Sequence, residues 1–149
     1  MDDSRPVAAR DVTQLPVAGP MWRDQLSDQV RRLAEVALGQ ALDAVTAGPM
    51  APFVVLDRPE GRVLGRFEGE AAGALARARA HVRASDAARA AIGWDGYLTV
   101  NGVRQEAVVV EVSERGLPGV VVAHRYRETV EGTVVVGRPV LVGPGAPIL

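Results

Sequence analysis

GYLTVNGVRQEAVVVEVSERGLPGVVVAHRYRET, residues 96–129, is the stretch on which the fold turns. Asn101-Gly102 interrupts it between two β-branched runs. Asn-Gly is the strongest short signal for a two-residue hairpin turn, because both central positions of that turn need positive φ. Strands are therefore expected over Gly96–Val100 and Val103–Arg115. The next interruption, Gly116-Leu117-Pro118-Gly119, reads as a four-residue turn that pairs Arg115 with Val120 and opens a strand over Val120–Thr129. Glu131-Gly132 then leads into a last strand, Thr133–Val142, whose Pro139 marks an edge or an irregular end.

Upstream of this meander the period changes. Trp22, Leu26, Val30, Leu33, Ala37, Ala41 and Val45 recur at helical spacing, so a helix is expected from Met21 to Ala47, stopped by Gly48-Pro49. Phe53–Leu56 and Val63–Phe67 read as two strands joined by the turn chemistry of Asp57 to Arg62. A second helix is expected over Gly69–Ala84, burying Ala71, Leu75, Ala78 and Val82. Ser85-Asp86 reads as the cap of a further short helix, Ala87–Ile92.

The expected fold class is α+β, in the order α-β-β-α-β-β-β-β. It consists of a single antiparallel sheet of about five or six strands with two main helices packed on one face. Residues 1–20 carry Pro6, Pro16, Gly19 and Pro20 without periodicity and read as a flexible arm. Residues 21–142 form the single domain, and 143–149 a C-terminal tail. The order of a helix, a hairpin, a second helix and a meander resembles the roadblock and profilin-like arrangement. What that resemblance implies is topology alone.

Composition bounds function mainly by exclusion. The chain has 149 residues, 48% of them hydrophobic and only 4% aromatic. That length suits one domain with a core of small and β-branched side chains. All 17 basic residues are Arg, and Cys is absent. No lysine means no P-loop cation and no Schiff base. No cysteine means no thiolate nucleophile or ligand. His81 and His124 lie on different elements, which leaves no multi-His metal motif, so no cofactor is expected. The net charge of −1 gives no electrostatic pull toward nucleic acid or anionic lipid. No run is apolar enough to span a membrane, and the acidic start is no secretory signal, so cytoplasm is the default location.

Candidate site residues follow from the register set by the turn at 116–119. Counting back from Arg115 opposite Val120 sets Ser113 opposite Val122, Glu111 opposite His124 and Val109 opposite Tyr126. A carboxylate beside an imidazole is either a general acid/base pair or an ordinary polar pair at the edge of the apolar layer. Arg125 and Arg127 then share the other face with Val108, Val110 and Val112, as a solvated surface, an interface, or a grip for an anionic group. Gly93-Trp94-Asp95-Gly96-Tyr97 reads as a loop between helix and strand, either presenting Trp94 and Tyr97 to a ligand or anchoring the turn. The leading expectation is a non-catalytic domain working through protein contacts, as a homo-oligomer or with another protein. The alternative is a small-molecule-binding protein or hydrolytic enzyme using Glu111 and His124.

Overall fold

A computed structural model describes residues 11–13 and 26–149. Strand β1 (Asp11–Thr13) is followed by helix α1 (Asp28–Ala47), strands β2 (Phe53–Arg58) and β3 (Gly61–Arg66), and helix α2 (Ala71–Ala84). Strands β4 (Arg89–Val100), β5 (Val103–Glu114), β6 (Gly119–Thr129), β7 (Gly132–Val135) and β8 (Val140–Gly145) complete the chain. The sheet runs β3-β2-β4-β5-β6-β7, with β8 also on β6 and β1 on β4. Every pairing is antiparallel except that of β1, whose three residues run parallel to Tyr97–Thr99. The fold is thus the expected α+β sheet.

The expected punctuation holds in several places. Asn101 (φ 52°) and Gly102 (φ 78°) both lie in the left-handed region, as a type I′ turn requires, and join β4 to β5. Helix α1 ends at Gly48, before Pro49. It starts later than expected: Ser27 is its N-cap, accepting the Val30 N–H at 3.1 Å. The expected first turn at Met21 lies outside the described residues, as does the expected arm except for β1, which is paired rather than free.

Two expectations are corrected by packing. Ala87–Ile92 is not a helix. Arg89 onward is β4, a central strand between β2 and β5. Ala90 and Ile92 are buried on one face and Ala91 on the other. A strand covered on both faces has no polar alternation to display, so its Ala-rich run reads locally as helix. The helices, too, lie on opposite faces rather than on one. α1 packs Leu33, Ala37 and Ala41 onto Phe53, Val55, Ala91, Val108, Val110 and Val122. α2 packs Leu75, Ala78 and Val82 onto Val54, Ile92, Trp94 and Val109. The tail expected over 143–149 is also in use. Gly143–Gly145 finish β8, Ile148 is buried on the α2 face, and its N–H reaches the Ser113 hydroxyl at 3.3 Å.

Gly93 shows why this sheet uses small residues. A Cβ there would lie 2.3 Å and 2.4 Å from two carbons of the Phe53 ring. Only glycine lets the ring lie flat on the strand.

Candidate functional site

The cross-strand register decides which side chains meet. The β5–β6 ladder pairs Val112 with Val120, Val110 with Val122 and Val108 with His124. The expected pairing was Arg115 with Val120, so the register differs by three residues. The turn after β5 closes at Leu117, whose N–H donates to Glu114 O at 3.0 Å, and Arg115 continues the β4–β5 register beyond the Arg89–Glu114 pair instead of meeting β6. The Arg115 N–H donates to Ala88 O, its Nε to Ala87 O and its Nη2 to Ser85 O, all within 3.0 Å. An odd shift flips faces. Glu111 therefore faces α2 and His124 faces α1, and the expected Glu111–His124 pair does not form. Arg125 and Arg127 likewise lie on the α2 side, away from Val108, Val110 and Val112.

On the α2 face, Glu111 is 18% exposed in its side chain and grips Arg79 through both oxygens at 2.8 Å. The same guanidinium lies 5.5 Å over the ring of buried Trp94. The Glu111 carboxylate holds the Arg79 proton more firmly than usual, more than burial loosens it. Arg79 thus sits between α2 and the sheet as a three-part fastener. Beside it, Arg83 and residues Ala146–Ile148 complete a cleft of about 310 Å³. The Trp94 indole N–H is buried without a partner among the described residues.

On the α1 face, Tyr126 donates its hydroxyl to Asp95 at 2.5 Å. Burial first, and then the Asp95 carboxylate, push the Tyr126 phenol far above its ordinary range. That phenol is a fixed donor, not an acid. His124 is buried and bonds through Nε2 to Gly137 O at 3.0 Å. A carbonyl only accepts, so Nε2 carries the hydrogen. This contact ties down the crossing from β7 to β8, where Val136 N–H also donates to Arg125 O at 3.0 Å.

The GWDGY stretch is not a loop but the middle of β4. Trp94 and Tyr97 therefore point to opposite faces. Tyr97 stacks under the Arg104 guanidinium at 4.6 Å. Arg125 donates to Gln105 at 3.1 Å, and Arg127 is exposed.

One constellation escaped the sequence reading. Arg62, Asp57, Arg89 and Glu114 form a row across four strands, since Asp57 is opposite both Arg62 and Arg89, and Arg89 is opposite Glu114. The contacts are Arg62–Asp57 at 2.6 Å, Arg89–Asp57 at 3.2 Å and Arg89–Glu114 at 3.7 Å. Arg89 also reaches Gln29 of α1 at 3.0 Å. Hydrogen bonding from Arg62, helped by Arg89, holds the Asp57 carboxyl below its usual range despite partial burial. Arg79 was missed for another reason. Arg77, Arg79, His81 and Arg83 alternate with Ala or Val, so helical spacing spreads them around α2 and singles out none of them. The available signal was Glu111, since a carboxylate facing a covered layer needs a cation.

Glu111 has both oxygens engaged, and His124 and Tyr126 each hold an internal bond. Among the described residues, no three or more Asp, Glu or His side chains are placed to hold a metal ion, and no helix is long and apolar enough to cross a membrane. Compared with family models, curated proteins and solved structures, the chain gives no match.

Proposed function

We propose that this chain acts through protein contacts rather than chemistry, and that the contact runs along the open edge of β3. One observation carries the reading. Among the described residues, β3 is a six-residue strand at the end of the sheet, with Val63 46% and Leu64 43% exposed on its two faces. The outer backbone groups of such a strand are a template for another strand, and exposed apolar side chains add affinity to that pairing. The opposite side of the sheet offers less. There β6 is shared between four-residue β7 and β8, and β8 carries Pro144, which has no N–H to donate.

The engagement of Glu111 and Tyr126, and of His124 through Nε2, in internal bonds supports the same reading. The test is a Leu64→Pro variant, which removes an edge donor at an exposed position. Wild-type protein used as bait retains a partner, and the variant loses it while keeping its circular dichroism. Amide exchange of β3 slows when the partner is bound. Equal capture by both proteins, with β3 exchange unchanged, would overturn the reading.

The cleft beside Arg79 favours a second reading, a small-anion site. Its size is at the low end for a ligand pocket. Arg83 lines it without an ion pair among the described residues, beside the apolar rim of Pro147 and Ile148. Titrating short-chain carboxylates and inorganic phosphate by NMR tests it. Shifts confined to Arg83 and Ala146–Ile148, lost in Arg83→Ala, support the site; absence of saturable shifts rejects it.

A further inference from the structure

We propose that β3 pairs with β3 of a second copy of this chain, antiparallel and two-fold, with Val63 at the symmetry axis. The inference rests on the reading of β3 as the contact edge and names the partner.

The direction of the backbone groups comes first. Phe67 N–H donates to Pro52 O at 2.9 Å, one step beyond the Phe53–Arg66 pair. Backbone groups alternate sides along a strand, so Phe67, Gly65, Val63 and Gly61 bond inward to β2. Arg62, Leu64 and Arg66 therefore present their N–H and C=O outward.

Symmetry then limits the register. A two-fold axis perpendicular to the sheet keeps each face on its own side, and directly opposed residues must share a face. Only registers that set a residue against itself satisfy both conditions. Two of these keep five of the six β3 residues overlapped, centred on Val63 or on Leu64.

Charge chooses between them. Centring on Leu64 sets Arg62 against the partner's Arg66, a like-charge pair that destabilises. Centring on Val63 sets Arg62 against the partner's Leu64 and Gly61 against the partner's Gly65. It also carries Arg66 toward the partner's Glu60, just beyond the strand. Arg66 has no carboxylate partner among the described residues. Glu60 is 71% exposed in its side chain and makes only a 3.7 Å contact with Arg58. Each copy thus offers one available cation and one loosely held anion, and the Val63-centred register brings them together twice. Val63 meets its symmetry mate on the α2 face, while Leu64 covers the Arg62 stem on the α1 face. The edge carries both arginines without excluding its own copy.

The absence of cysteine makes the test clean. In this register the two Val63 positions form a non-hydrogen-bonded pair, with Cα atoms about 4.5 Å apart, within disulfide reach. The two Leu64 positions are offset along the strands and lie roughly 8 Å apart, beyond it. Under mild oxidation, Val63→Cys is expected to become a covalent dimer, while Leu64→Cys stays largely monomeric. Sedimentation of the unmodified chain is expected to show a monomer–dimer equilibrium between micromolar and millimolar concentration. Arg66→Glu and added salt should each weaken it severalfold. Preferential linking of Leu64→Cys would overturn the register. Equal, slow linking of both variants with a purely monomeric wild type would overturn self-pairing. If self-pairing fails but Leu64→Pro still loses a captured partner, the edge reading stands with a different occupant. If capture is also unaffected, both fail.

Discussion

Replacing Gly93 by alanine tests the packing of the sheet against α1 directly. The new Cβ would stand 2.3–2.4 Å from two Phe53 ring carbons. Carbon contacts are comfortable near ~3.5 Å, so something must give by about 1 Å. Phe53 is only 1% exposed and is wedged among the α1-facing core, so its ring has little room to retreat. Overpacking of this kind costs roughly 1–3 kcal/mol. For a domain of this size each kcal/mol lowers the melting temperature by about 2–4 °C. The sign should reverse when the ring is removed. Glycine to alanine at an accessible backbone conformation gains about 0.4–1 kcal/mol by restricting the unfolded chain. Phe53→Leu alone should cost about 1–2 kcal/mol in lost burial and cavity. In that background Gly93→Ala should be neutral or stabilising. Urea unfolding of the four proteins, read as midpoints at constant slope, measures the coupling. If Gly93→Ala is within about 0.5 kcal/mol of wild type, or if the two changes add, the ring does not occupy that space and the reasoning fails.

Three further outcomes are expected. Arg79→Ala leaves Glu111 charged, largely covered and unpaired, and should cost about 1–3 kcal/mol in urea melts; the indole emission of Trp94 should shift with it, and Glu111→Gln should recover part of the loss. Asp57 titrates lower in the folded chain than in the unfolded one, so its contribution is full above the unfolded value near 3.8 and fades as pH falls through the lower folded value; Asp57→Asn should therefore be less stable than wild type at pH 7, with the gap closing in acid, and a pH-independent gap would contradict this. Tyr126→Phe removes a buried donor to a carboxylate and should cost about 1.5–3 kcal/mol in the same melts, whereas a change below about 0.5 kcal/mol would deny the Asp95 bond.

The parts of the fold legible in the sequence were those set by backbone chemistry within a few residues. Asn101-Gly102 specified its turn, and Gly48-Pro49 its helix end, because each needs only local φ preferences. The Ala87–Ile92 stretch failed because alanine favours helix locally, while what decides here is burial between two layers. The signal for two covered faces was nonetheless present. Val108-Val109-Val110 and Val120-Val121-Val122 place apolar side chains on both sides of β5 and β6, and a one-faced sheet would leave half of them wet. Placing both helices on one face overlooked that α1 and α2 could take one face each.

The candidate site was less legible because it hung on one count, and that count depended on a residue far away in sequence. Three carbonyl groups in the link at 85–88 need donors, and Arg115 supplies them with its N–H, Nε and Nη2. Nothing in Gly116–Gly119 announces that competition. With Arg115 held against β4, Val112 rather than Arg115 meets Val120, and the odd shift sends Glu111 and His124 to opposite faces. Each then finds a different use. Glu111, turned toward α2, must have a cation, and Arg79 answers by binding it across Trp94, which fixes α2 to the sheet. His124, turned toward α1, holds Gly137 where the chain crosses from β7 to β8. Polar groups buried in this way stabilise only while their partners stay in place, so substituting either partner loosens an element. The β3 edge proposed for contact lies outside both layers, a continuous strand with Val63 and Leu64 exposed, so its use would leave those fasteners in place.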